Sequence, residues 1–123
     1  MTTLEIGQKL VDLCMEGKSS EAQDTLYAED AVSVEVAPMA DMPQTAEGLE
    51  AIKAKSAWWY DNHEIHAFDV SGPWPHGDRF IVIFDLDVTN KPSGMRMQMS
   101  EAGLYTVADG KIVKEEFFYT MEP

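Results

Sequence analysis

The chain of 123 residues predicts one α+β domain, with helices covering one face of a curved, largely antiparallel sheet. Three observations carry that expectation. The first half mixes helical and strand-like periodicities, the second half is a succession of long alternating segments parted by turn residues, and no repeat, low-complexity tract or linker divides the chain. A domain over residues 1–123 follows.

The elements are justified in order. Leu4, Ile6, Leu10, Val11, Leu13, Cys14 and Met15 share one helical face, with Thr2 or Thr3 as the N-cap before Glu5, and Gly17 stops the helix. Ser19, Ser20 and Glu21 start a second helix carrying Ala22, Leu26 and Tyr27 up to Ala28-Glu29-Asp30. Residues 31–37 alternate, Val32, Val34 and Val36 on one side and Ser33 and Glu35 on the other, so they read as a strand. Pro38 to Gln44 suits an irregular crossing or lid segment. A third helix runs from Thr45 to about Asn62 with Leu49, Ile52, Ser56, Trp59 and Tyr60 on its stripe. Four strands finish the chain: Glu64 to Trp74, Arg79 to Asn90, Met95 to Val107 and Lys111 to Met121, with Asp109-Gly110 a hairpin signal between the last two. Gly72, Pro73 and Gly103 are places where the sheet can bulge and curl, and a curled sheet under helices encloses a pocket.

Charge narrows the function. Twenty-two acidic residues against nine basic ones leave −13, divided evenly along the chain, with Arg79 and Arg96 the two arginines. An acidic surface lacks the basic footprint that nucleic acid or an anionic membrane requires, and it discourages anionic ligands, so a neutral one is expected. No stretch reaches the ~20 apolar residues of a membrane span, Met1 to Ile6 carries no export signal, and a lone Cys14 fits a reducing cytoplasm.

The stretch from Gly17 through Leu26-Tyr27-Ala28-Glu29-Asp30-Ala31-Val32-Ser33-Val34-Glu35, then Gly48 opening a helix, then Asp109-Gly110-Lys111-Ile112-Val113, resembles the SnoaL-like branch of the nuclear transport factor two-like superfamily over nearly the whole chain. The resemblance implies a cystatin-like, cone-shaped sheet, mixed at its first strand and wrapped around two to three N-terminal helices, with an internal cavity and a homodimer. The fold hosts isomerases, cyclases, hydrolases and pure binders, so it does not name the activity.

In the comparison with ketosteroid isomerases, Glu35 runs in step with the end of the segment that carries their proton-shuttling aspartate, and a carboxylate in an apolar cone is suited to act as a general base. Their oxyanion donors, a helix tyrosine and a protonated acid on a late strand, fall here near Leu10 and Gly103, which donate nothing from a side chain. True steroid isomerase activity is therefore not expected, and Glu101 and Tyr105, two residues either side of Gly103, are the available replacements. His66, which shares a strand face with Phe68 and Val70 in strict alternation, is a further candidate donor. Asp85, Asp87 and Arg96 supply the residue types of a superfamily epoxide hydrolase, but parity turns the two aspartates away from the apolar face of Phe80, Val82, Phe84, Leu86 and Val88. Asp61, His63, Glu64 and His66 straddle an element boundary and lack the fixed third ligand of a metal site.

Trp59, Phe84, Met97, Met99, Phe117 and Tyr119 are the expected walls of an apolar cavity. The last strand carries an aromatic on each face, as a strand covered by helices on one side and a second subunit on the other requires. The expected function is a cofactor-independent isomerase, cyclase or lyase acting on a small neutral hydrophobic carbonyl compound, with Glu35 as base and Tyr105 or His66 as donor; the alternative is a binding module using the same pocket.

Overall fold

The computed structural model describes residues 1–38 and 42–120. Three helices, α1 (Thr3–Met15), α2 (Ser19–Leu26) and α3 (Leu49–Asn62), and six strands, β1 (Tyr27–Val34), β2 (Thr45–Glu47), β3 (His63–His76), β4 (Arg79–Asn90), β5 (Arg96–Ala108) and β6 (Lys111–Phe118), follow in the order α1, α2, β1, β2, α3, β3 to β6. The sheet runs β2-β1-β6-β5-β4-β3; β1 and β6 are parallel and every other pair is antiparallel. It is a mixed, curved, unclosed sheet with the helices on its concave side, the architecture expected.

Local chemistry sets the boundaries. Thr2 caps α1 through a full capping box, its side chain accepting from the Glu5 N–H while the Glu5 carboxylate accepts from the Thr2 N–H. Asp109 and Gly110 both have positive φ, 53° and 76°, so the β5–β6 connection turns in the sense that matches strand twist.

Several boundaries differ from expectation. The second helix stops at Leu26 because Tyr27 is already extended and begins the strand, and the register against β6 jumps between Tyr27 and Val32; the bulge leaves Glu29 and Asp30 exposed while Tyr27 and Ala31 stay buried. Thr45 to Glu47 is not the start of a helix but a short strand pairing Val34 with Thr45 and Val32 with Glu47, and the helix begins only after Gly48. Of the crossing segment before it, residues 39–41 lie outside the described residues; β1 ends at Val34 and not at residue 37, and β6 ends at Phe118, short of the expected end at Met121.

The core lies between α1, α2 and the concave face: Ile6, Leu10, Leu26, Ile52, Phe80, Val82, Tyr105 and Ile112 are almost or wholly excluded from solvent. The apolar row of β4 faces this core as parity required, and Phe80 stacks on Tyr105 with ring centres 5.0 Å apart.

Candidate functional site

The wide end of the cone is not filled. A cavity of about 1050 Å³ opens between α3 and the inner faces of β4, β5 and β6, with Trp58, Trp59, Phe84, Met97, Met99 and Phe117 among its walls. All six expected wall residues, including Tyr119, line it. They arrive by alternation: Met97, Met99, Glu101 and Tyr105 occupy odd positions of β5, and Phe117 sits opposite Gly103 on β6.

Glu35 follows β1, held in line by its N–H donating to the Gln44 carbonyl at 2.8 Å. The residue is 9% exposed and lines the cavity, while Val36, on the other side of the chain, is exposed. Two donors meet its carboxylate. The Lys55 ammonium donates to Oε2 and the Tyr119 hydroxyl to Oε1, each at 3.1 Å.

Lys55 was not foreseen. It comes from the middle of α3, donates also to Ser33 Oγ, and lies 5.4 Å from the centre of the Phe117 ring. Its signal in the sequence is its spacing, three residues after Ile52 and four before Trp59, a cation on the stripe that faces inward.

Ser33 pairs in register with Glu115 of β6 and bonds its carboxylate, which also accepts from the Tyr27 hydroxyl at 2.6 Å. Burial pushes the Glu115 carboxyl up, opposed by the hydrogen bond from Tyr27 and by Lys55. Tyr105, 2% exposed, forms part of the wall, and burial, with Glu115 nearby, raises its phenol well above the usual range. Burial also raises Tyr119 and pushes the Cys14 thiol to about 12, so none of these is an acid near neutrality.

Glu101 is different. It projects into the same cavity from β5, opposite Phe84, and makes no side-chain hydrogen bond among the described residues. Burial, then the charges of Glu35 and Glu115, push its carboxyl up to about 7, with Lys55 pulling the other way.

His66 does not join them. The register of β3 against β4 slips between Ile65 and Ala67, and the extra residue is His66; the bulge breaks the alternation that put it beside Phe68. It is exposed, with Nε2 2.7 Å from the Thr89 hydroxyl. His63, three residues earlier at the start of β3, lines the cavity instead, stacked on Trp59 at 4.4 Å with Nδ1 2.8 Å from the Trp59 carbonyl. Asp85 and Asp87 lie on the outer face as parity predicted, Asp87 in a bidentate pair with Arg96 and Asp85 accepting from Ser100, in a cleft of about 440 Å³ open to solvent. Among the described residues no helix is long and apolar enough to cross a membrane.

The profile of the SnoaL-like domain matches residues 1–119. The chain belongs to the SnoaL-like family. A candidate SnoaL-like polyketide cyclase from Mesorhizobium loti is 40% identical, with 97% of this chain and 100% of that chain aligned at a TM-score of 0.91. A second such candidate from Jannaschia sp. CCS1 is 19% identical (94% and 83% covered, TM-score 0.73), and a candidate polyketide cyclase from Pseudomonas putida KT2440 is 14% identical (98% and 93%, TM-score 0.72); both show the fold. No curated protein matches the chain in sequence.

Proposed function

We propose that this SnoaL-like protein is a cofactor-independent isomerase, cyclase or lyase that moves a proton on a small hydrophobic carbonyl compound held in the cone. The observation that carries the reading is one cavity holding two carboxyl groups in opposite circumstances. Glu35 is bonded by an ammonium and a phenol, whereas Glu101 makes no such bond and has its carboxyl raised to about 7. An ammonium-paired carboxylate and a carboxyl raised by burial supply a candidate base and a candidate acid in one cavity. Glu35 takes the proton next to the carbonyl, and Glu101 in its neutral form donates to the oxygen on which negative charge develops. Trp59, Phe84, Met97, Met99 and Phe117 hold the apolar body and exclude water. Tyr105, the donor expected from the sequence, is 2% exposed and lines the cavity wall, its phenol raised well above the usual range by burial.

The test is exchange of α-protons for deuterium, followed by NMR, across a panel of enolisable hydrophobic ketones sized to the cavity. The protein accelerates exchange for a subset, and Glu35→Gln slows it by roughly 10²–10⁴-fold, the usual worth of a general base. Ligands that bind without any accelerated exchange would overturn the enzymatic reading in favour of a binding module.

The same reading includes a homodimer formed through the outer sheet face. Trp74 and Ile81 pair across β3 and β4, Leu104 continues the row on β5, and Phe118 lies alongside, an apolar patch in which Trp74 and Phe118 are more than half exposed.

A further inference from the structure

We propose that the cone also takes an organic ammonium ion, a tertiary or quaternary amine with an apolar body, whose charge sits between the Glu101 carboxylate and the rings of Phe84 and Phe117. The inference rests on the reading of the cone as the ligand cavity and does not need Glu35 to be a base.

The frame around Glu101 is set by register. It stands on β5, between β4 and β6. Phe84 is its direct partner on β4, and Phe117, which pairs with Gly103, lies diagonally across on β6. A direct partner is about 5 Å away at Cβ and a diagonal one about 7–8 Å. The carboxyl is thus flanked by an aromatic side chain on each neighbouring strand, and the two ring centres are 6.4 Å apart. The next residue on the same face of β5 is Gly103, where a Cβ would come within 3.2 Å of the Phe84 ring, so the absence of a side chain lets that ring close on the strand.

The other carboxyl groups of the cavity are served from within the chain. Glu35 accepts from Lys55 and Tyr119, and Glu115 from Tyr27. Lys55 is taken up by Ser33 and Glu35, and no other lysine or arginine lines the cavity among the described residues. His63 lies away at the Asn90 end of β4, stacked on Trp59. Glu101, with no hydrogen bond or ion pair among the described residues, is left without a counter-charge. Burial and the neighbouring acids accordingly push its carboxyl up to about 7.

A ligand cation supplies what the chain does not. The aromatic wall already holds one ammonium: Lys55 Nζ lies 5.4 Å from the centre of the Phe117 ring, inside the ~6 Å over which a ring face attracts a cation. An alkylated ammonium suits this setting because its charge is weakly hydrated and its carbon arms contact Met97 and Met99. A neutral ligand fills the same walls but leaves the carboxyl unpaired. The net charge of −13 excludes anions and draws cations toward the chain. Held this way, Glu101 is the counter-ion of the ligand and no longer an acid, so such a cation blocks the proton transfer proposed above.

The probe is benzyltrimethylammonium, set against neopentylbenzene, its uncharged isostere with carbon in place of nitrogen. Binding to the full chain is followed through the fluorescence of Trp58 and Trp59, which line the cavity, at a pH above the Glu101 midpoint of about 7. The expected result is that the cation binds at least about tenfold more tightly than the isostere. Glu101→Gln weakens the cation by roughly ten- to a hundredfold, the worth of one partly screened charge pair, and leaves the isostere in place. Equal affinities for the two probes overturn the proposal, as does a wild type that binds no cation. Cation binding unchanged in Glu101→Gln also overturns it and moves the ion elsewhere, for instance to the outer cleft of Asp85 and Asp87. The comparison of the two probes uses the wild-type chain alone and stands even if the glutamine variant does not fold. No reaction enters the assay: proton exchange without cation binding rejects this inference alone, and cation binding without exchange rejects the enzymatic reading alone.

Discussion

Replacing Glu101 by Gln makes the energetic cost of the cavity visible in stability. In the folded chain the Glu101 carboxyl holds its proton up to about pH 7, against an ordinary value of 4.5. Between these limits the folded state binds more protons than the unfolded one, so stability falls as pH rises from about 4.5 to 7 and is flat on either side with respect to this group. At about 1.36 kcal/mol per pH unit of displacement, the loss attributable to Glu101 is at most about 3 kcal/mol, the side chain being only partly shielded from water. Glu101→Gln keeps the shape and removes the titration. Glu115 adds a loss of the same sign, and the general repulsion of a chain carrying −13 adds another, but both are present in the two proteins and cancel in the difference. Urea unfolding at pH 4.5, 5.5, 6.5 and 7.5 is therefore expected to show the variant gaining on the wild type steadily with pH, by up to about 3 kcal/mol, or roughly 10 °C in thermal midpoint for a domain of this size. Parallel stability curves across that range would refute the claim that Glu101 is held neutral by its surroundings.

Two further outcomes follow from contacts already described. Tyr27→Phe removes the 2.6 Å hydrogen bond to the Glu115 carboxylate, leaving a buried acceptor short of a donor at a cost of about 1–3 kcal/mol in chemical unfolding; an unchanged midpoint would mean that Ser33 alone satisfies Glu115. Light scattering is expected to return twice the chain mass of 13.8 kDa, and Phe118→Asp on the outer face to return a monomer with the cavity residues undisturbed; a monomeric wild type rejects the outer-face pairing.

Much of the site was legible because a strand imposes period two. The shared face of the odd-numbered β5 side chains and the inward row of β4 follow from alternation alone; alternation also set Glu35 opposite the valines, and the structure turns the Glu35 side into the cavity. The same rule misplaced His66, because a bulge consumes one residue without advancing the partner strand and reverses every parity argument made across it. Lys55 was invisible for a different reason. A lysine on a helix is ordinarily a solvated residue, and its inward spacing becomes meaningful only when a carboxylate waits for it 20 positions earlier in the chain, on another element. The short β2 strand escaped notice because three residues are too few to establish a period, and it exists by pairing with β1.

Composition and periodicity, which depend only on neighbours along the chain, determined the α+β class and the acidic charge, and they named Glu35 and the apolar residues as candidates for the inside. That three acids and one lysine share one cavity was decided by the tertiary structure. Ionisation responds to distance and burial in space, and the groups concerned, at positions 35, 55, 101 and 115, meet only when the sheet curls under α3.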